Sequence, residues 1–150
     1  SDLQYSKIFT IAPLNGSRFS DIQLVDTLLP SQDVKNDFYR NGNLQIPLCA
    51  NFYDDQRKTL RFYNEFYQPN GDLKLGTIKS YISKKENAEA LYNLIHSQVL
   101  QKHSINIIQN HFDISVLPSG NYFLNFSMMK YKIHRRNKKI PAKQELMINI

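Results

Sequence analysis

The richest strand pattern in the chain runs over residues 59–67, where two kinds of side chain alternate. One set of alternate positions is mainly apolar: Leu60, Phe62, Asn64 and Phe66. The other set holds two tyrosines and an opposite-charge pair: Arg61, Tyr63, Glu65 and Tyr67. Successive side chains of a strand point to opposite faces of its sheet. The pattern therefore predicts a strand with one face in a core and the other partly exposed.

Further extended segments follow this type along the chain, separated by turn signals roughly every 8–15 residues. They are residues 7–13, 19–29, 44–48, 73–82, 104–115, 121–132 and 144–150. Val25 and Asp26 interrupt the alternation of the second segment, which is typical of a β-bulge or a change of sheet. Strands do not alternate with helices, which disfavours a parallel α/β sheet. We therefore expect a single all-β domain over residues 1–150, an antiparallel sandwich of about seven to nine strands.

Residues 84–103 permit two interpretations. Ala88, Leu91, Tyr92, Ile95 and Val99 have helical spacing, which favours a short helix near residues 86–100. The same residues also fit two short extended pieces, so pattern alone leaves both alternatives open.

Two segments carry expectations about sheet edges. Pro47 cannot donate a ladder hydrogen bond, so its strand should lie at an edge or carry a bulge. The terminal strand, residues 145–150, has no such protection, and we expect it to be open to pairing with another chain. The single cysteine, Cys49, excludes an intrachain disulfide and is expected to be a small buried residue.

The formal net charge of +6 raises the question of nucleic-acid binding. The strongest basic cluster is Arg135, Arg136, Lys138 and Lys139, in a short polar segment between apolar runs. This position is typical of the solvated tip of a hairpin, and the alternative is a site for phosphate, an anionic glycan or an acidic partner. Basic residues do not alternate with aromatic ones as in RNA-binding strands, so we expect no nucleic-acid partner.

The sequence shows no recognisable catalytic motif. Its histidines lack metal-ligand spacing, and no glycine-rich phosphate loop or nucleophile elbow is present. We therefore expect no enzyme activity, no cofactor and no metal. No apolar run approaches the roughly 18 residues of a membrane-spanning helix, so the chain is not expected to cross a membrane.

The exposed side of residues 59–67 suggests a binding function. Tyrosine rings can stack on sugar faces, and a carboxylate can accept hydrogen bonds from hydroxyls. Arg61, Tyr63, Glu65 and Tyr67 are therefore candidate glycan-binding residues. The competing interpretation is structural, namely a cross-strand ladder or a surface covered by a neighbouring loop.

Four landmarks occur in order along the chain. They are residues 19–24 (FSDIQL), Asn41-Gly42 before residues 44–47 (LQIP), residues 60–67 (LRFYNEFY) and residues 112–124 (FDISVLPSGNYFL). Over most of its length the chain thus resembles the N-terminal immunoglobulin-like or fibronectin-like sandwich of extracytoplasmic Bacteroidota proteins, among them the GWxTD-motif proteins. The GWxTD motif itself is absent, since the chain has no tryptophan.

The resemblance implies a non-catalytic module outside the cytoplasm, in the periplasm, at the outer membrane or on the cell surface, with a precursor that is secreted or lipid-anchored. It also implies extended structure for residues 84–103. We therefore expect an interaction or structural module of the cell envelope, working through a sheet face or edge on another envelope protein or domain. Glycan binding by the tyrosine-bearing face is the alternative.

Overall fold

A computed structural model describes residues 17–68, 76–86, 88–91, 93–130 and 142–150. The described residues form ten strands and no helix. The strands are β1 (Arg18–Phe19), β2 (Gln23–Pro30), β3 (Tyr39–Arg40), β4 (Asn43–Pro47), β5 (Thr59–Tyr67), β6 (Gly76–Ser83), β7 (Ile95–Val99), β8 (Ile105–Asp113), β9 (Asn121–Lys130) and β10 (Ala142–Asn149). The predicted all-β class is confirmed. The predicted strand over residues 7–13 lies outside the described residues.

The strands form two antiparallel sheets. In sheet A, β5 pairs with β8 along one side and with β1 and β2 along the other, and β4 and β3 continue the sheet beyond β2. Sheet B has the order β10, β9, β6, β7. Apolar side chains of both sheets interleave in one core: the Phe62 ring of β5 lies 5.2 Å from the Phe126 ring of β9. Because each sheet buries one face against the other, the architecture is a β-sandwich.

The alternation in β5 is as predicted. Leu60, Phe62, Asn64 and Phe66 are completely buried between the sheets. Arg61, Tyr63, Glu65 and Tyr67 lie on the outer face of sheet A. The sequence pattern thus predicted correctly which face of this strand is buried.

The predicted bulge is present in β2. Its register against β4 shifts between Val25 and Thr27, so that one residue has no partner across the strand. Pro47 pairs with Val25 and lies beyond β3, which covers only Asn43 and Leu44. The prediction that Pro47 lies at an edge is therefore confirmed.

The described residues between 86 and 100 do not form the short helix that their apolar spacing favours. The described residues of this segment end in β7, whose exposure alternates with a period of two. The buried residues are Leu94 and Leu100, whereas Ile95 and Val99 of the helical stripe face solvent. The helix prediction is wrong because pairing with β6 satisfies the backbone of this segment, and this pairing outweighs local spacing.

Cys49 also differs from expectation, since its side chain is exposed. It follows the end of β4 in a bend, where the chain leaves sheet A. The apolar neighbours that suggested a buried position are themselves only partly buried or exposed.

Candidate functional site

The outer face of sheet A carries the four predicted binding residues, and they form two different environments. In the first, the side chains of Tyr63 and Tyr67 each form a hydrogen bond with Glu65. The hydroxyl of Tyr63 donates to Oε1 of Glu65 at 2.5 Å, and the hydroxyl of Tyr67 donates to Oε2. Both carboxylate oxygens of Glu65 are therefore already engaged by neighbours on the same strand.

This network changes the acidity of the tyrosines. Burial raises the pKa of Tyr63 to about 12, with the hydrogen bond to the Glu65 carboxylate as the second cause. For Tyr67 the hydrogen bond to Glu65 is the main cause of a raised pKa, and burial is the second. In both residues the carboxylate favours the neutral phenol, which is the form that donates the hydrogen bond.

A turn covers part of the same face. Asn41 and Gly42 connect β3 to β4, and both have positive φ angles, 50° and 82°. Two such residues make the tight hairpin turn that suits twisted strands. The Asn41 side chain hydrogen-bonds the hydroxyl of Tyr63, and Tyr63 is only 9% exposed. The Tyr63 ring is thus not presented as an open platform.

Arg61 has a different environment, at the wall of a pocket of about 290 Å³. Across β8, Arg61 pairs with His111 and Tyr63 pairs with Gln109. The side chains of His111 and Gln109 also line the pocket, together with Asn43 from the covering hairpin. Val25 and Leu28 of β2 supply apolar surface. The bulged strand, the hairpin and the β5–β8 pair therefore meet around Arg61.

Sequence reasoning identified Arg61 but missed the other polar residues of this pocket. His111, Gln109 and Asn43 come from two distant segments, and only the pairing of β5 with β8 and the fold of the hairpin bring them to Arg61. Alternation within residues 105–113 would have placed Gln109 and His111 on one face, but not opposite Arg61.

The basic cluster of Arg135, Arg136, Lys138 and Lys139 lies outside the described residues. Within the described ranges, no three His, Cys, Asp or Glu side chains are grouped so that they could hold a metal ion. Those ranges also contain no helix that is long and apolar enough to cross a membrane.

The second candidate site is the open edge of sheet B at β7. Leu100 donates its N–H to Gly76, and Leu94 accepts from Ile82, so even-numbered residues turn their backbone groups towards β6. The backbone N–H and C=O groups of Ser97 and Val99 consequently point away from the sheet. In the part of the chain that the structure describes, nothing bonds to these outward N–H and C=O groups.

The neighbouring edge strand, β8, is protected by side chains of β7. The ring nitrogen Nε2 of His96 lies 2.7 Å from the carbonyl of His111, to which it donates. Gln98 donates to the carbonyl of Ile107 at 3.1 Å. The His96 ring also stacks on Phe112, with 4.6 Å between ring centres. Two outward carbonyls of β8 are therefore already occupied.

The terminal strand is less open than the sequence suggested. Asn149 exchanges backbone hydrogen bonds with Asn51 and Tyr53, and the Asn51 side chain donates to the carbonyl of Met147. The residues that stay outward at the start of β10 include Lys143 and Glu145, whose charges disfavour pairing with another strand. The expectation of an open terminal edge is therefore wrong for its last residues.

Comparison with known proteins gives no match: no family model, no curated protein and no solved structure corresponds significantly to the chain. The resemblance to the N-terminal domains of GWxTD-type proteins therefore rests on the sequence landmarks alone and stays a prediction.

Proposed function

We propose that the chain is a non-catalytic interaction module that adds an extended segment of a partner protein to the β7 edge of sheet B. The observation that carries this proposal is the contrast between edges. Three other strands are protected. Pro47 protects β4, the side chains of His96 and Gln98 protect β8, and residues 51–53 protect the end of β10. Strand β7 has no proline, no charge and no bulge along its five residues.

The side chains around this edge define the chemistry of the partner. Ile95 and Val99 project from the outer face of sheet B and are 39% and 60% exposed. Between them Ser97 pairs with Lys79 of β6. An added strand would lie about 4.8 Å beyond β7, and therefore two strand spacings from β6. The long Lys79 side chain can extend across Ser97 towards an acidic side chain of that strand. We therefore expect the partner segment to carry an acidic residue between two apolar ones at alternate positions.

The proposal includes a location outside the cytoplasm and an immunoglobulin-like topology. The location is supported by the sequence resemblance. The topology is supported by the two antiparallel sheets and by Tyr122, whose hydroxyl donates to the carbonyl of Pro118 at 2.6 Å. A tyrosine that bonds back to the chain at the start of a strand recurs in immunoglobulin-like sandwiches. Fractionation of cells that produce the native precursor tests the location, and recovery in the cytoplasm would contradict it.

A displayed library of extended peptides tests the edge. Peptides with the apolar–acidic–apolar pattern should be selected, and Val99→Lys should weaken their binding by about tenfold or more, because a charge at an edge disfavours strand addition. Val116→Lys is the matched control, since Val116 is 61% exposed but lies in the turn that follows β8 and not in an edge strand. A library that yields no binder, or binders that tolerate Val99→Lys, would contradict the proposal.

A second candidate function is glycan binding on the outer face of sheet A. The observation that favours it is the pocket beside Arg61, which combines polar groups with an apolar surface in a volume of about 290 Å³. Binding would centre on Arg61, since Tyr63 and both oxygens of Glu65 are engaged. A carbohydrate array tests it: Arg61→Gln should abolish binding, and an array without any bound glycan would exclude it.

A further inference from the structure

We infer that the pocket beside Arg61 recognises a carboxylate, supplied by a uronic acid residue of an acidic glycan. The inference rests on the second candidate function and assigns a ligand class to that site.

Three polar side chains of the pocket have no partner among the described residues, whereas the amides of Asn43 and Asn110 already bond the backbone. The guanidinium of Arg61 and the side chains of Gln109 and His111 make no hydrogen bond or ion pair with any residue that the structure describes. Four residues further along the same strand, by contrast, Glu65 is bonded by both of its tyrosine neighbours. Converging polar side chains without partners are typical of a site whose partner is a ligand.

The charge of the pocket matches a monoanion. Arg61 is partly buried and is the only lysine or arginine among the residues that line the pocket. Arg57, which lines a neighbouring cleft together with Arg61, is already paired with Asp26. A guanidinium offers two parallel N–H groups that match the two oxygens of a carboxylate. A phosphate dianion would leave one negative charge without compensation.

The remaining wall suits a sugar ring. Gln109 presents an amide and His111 an imidazole, so the pocket offers donors and acceptors for hydroxyls, while the Asn43 amide nitrogen already donates to the carbonyl of Asn41. Val25 and Leu28, on the β2 side, offer an apolar surface for the C–H face of a pyranose. A simple organic acid would leave these groups unused, which is why the carboxylate is assigned to a sugar.

The test is a titration of the full chain with defined probes at constant ionic strength. The probes are a glucuronate-terminated disaccharide, its methyl ester, the glucose-terminated analogue, acetate and inorganic phosphate. We expect the glucuronate disaccharide to bind about tenfold or more tightly than the ester or the glucose analogue, because only the free acid forms the charge-assisted pair. Side-chain NMR signals of Gln109 and His111 should shift on binding.

Two variants with the same loss of charge separate the site from general electrostatics. Arg61→Gln should abolish the preference for glucuronate. Lys102→Gln, in the exposed loop between β7 and β8, should leave it unchanged. Arg61→Lys should retain the charge but lose about tenfold in affinity, because an ammonium cannot form the two-pronged pair.

Each other outcome overturns a distinct part of the inference. Equal affinity for the glucuronate and glucose probes removes the carboxylate and leaves glycan binding intact. Acetate or phosphate bound as tightly as the glucuronate probe shows a general anion site and removes the sugar. No binding of any probe removes both the inference and the second candidate function.

Discussion

At the scale of single residues, two buried asparagines differ in whether their amides find partners. Asn64 is completely buried in the core between Phe62 and Phe66, and neither of its amide atoms has a hydrogen-bond partner among the described residues. Asn125 is 5% exposed, and its amide donates to the hydroxyl of Ser83 at 2.9 Å. A buried polar group without a partner lowers stability, whereas a satisfied one does not.

This difference predicts opposite effects of the same substitution. Asn64→Leu, which is close to volume-conserving, should raise the free energy of unfolding by about 1–3 kcal/mol, because it removes an unsatisfied amide. Asn125→Leu should lower it by about 1–3 kcal/mol, because it leaves the Ser83 hydroxyl without its donor. Urea denaturation of the two variants measures both effects. A clear loss of stability in Asn64→Leu would show that its amide is satisfied.

The tyrosine–glutamate network predicts a dependence of stability on alkaline pH. The pKa of Tyr63 is raised in the fold to about 12, above its ordinary value of 10.0. The folded state therefore holds the phenol proton more tightly than the unfolded chain does. The stability that this contributes is fully present below pH 10 and is lost as the pH rises towards 12.

Glu65→Gln tests this dependence. The variant lacks the carboxylate charge, so the pKa of Tyr63 should fall, while burial keeps it above the ordinary value. The alkaline loss of stability should become smaller than in the parent chain. Tyrosine absorbance titration gives the pKa, and denaturation at pH 8 to 11 gives the stability, over roughly the range where phenols titrate. An unchanged titration curve would mean that Glu65 does not hold the hydroxyls.

At the scale of strands, most of the fold follows from local sequence patterns. The boundaries of β5 match the predicted strand, and the interruption at Val25 and Asp26 corresponds to the bulge in β2. The helix prediction near residues 86–100 is wrong because spacing is a local signal, and pairing of β7 with β6 is a tertiary one. Isolated apolar residues can satisfy either period until the partner strand is known.

The pocket beside Arg61 could not be predicted for a related reason. Alternation shows which face a side chain takes, but it does not show which strand lies alongside or in what register. Arg61 faces His111 only because β5 and β8 pair across a long stretch of intervening chain. The sequence therefore yields one residue of the site, and the fold supplies the others.

The contacts between β7 and β8 predict that the two sheets are joined at this side of the sandwich by side chains. Replacing both His96 and Gln98 with alanine should free the carbonyls of His111 and Ile107 and remove the ring stacking on Phe112. We expect a loss of stability of about 1–3 kcal/mol and concentration-dependent self-association through the exposed β8 edge. Sedimentation velocity detects the association.

Gln32→Ala, at an exposed position between β2 and β3, is the control for that double variant and should stay monodisperse. If the double variant sediments as the parent chain does at every concentration, the two side chains do not protect the β8 edge.

At the scale of the whole molecule, the two candidate sites lie on different sheets. The open edge belongs to sheet B, whereas the pocket beside Arg61 lies on the outer face of sheet A. A partner strand at β7 would extend sheet B without covering Arg61. Val99→Lys and Arg61→Gln should each abolish one kind of binding and spare the other, because Val99 lies near the opposite end of β7 from His96, the residue that bonds the pocket residue His111.

Amide hydrogen exchange tests strand addition at β7 most directly. In the free chain the outward amides of Ser97 and Val99 should exchange rapidly, because no described residue bonds to them. A bound peptide of the apolar–acidic–apolar type should protect both amides strongly and leave those of Lys143 and Glu145, on the opposite edge, unchanged. Protection that spares Ser97 and Val99, while the peptide is bound, would contradict the proposed function.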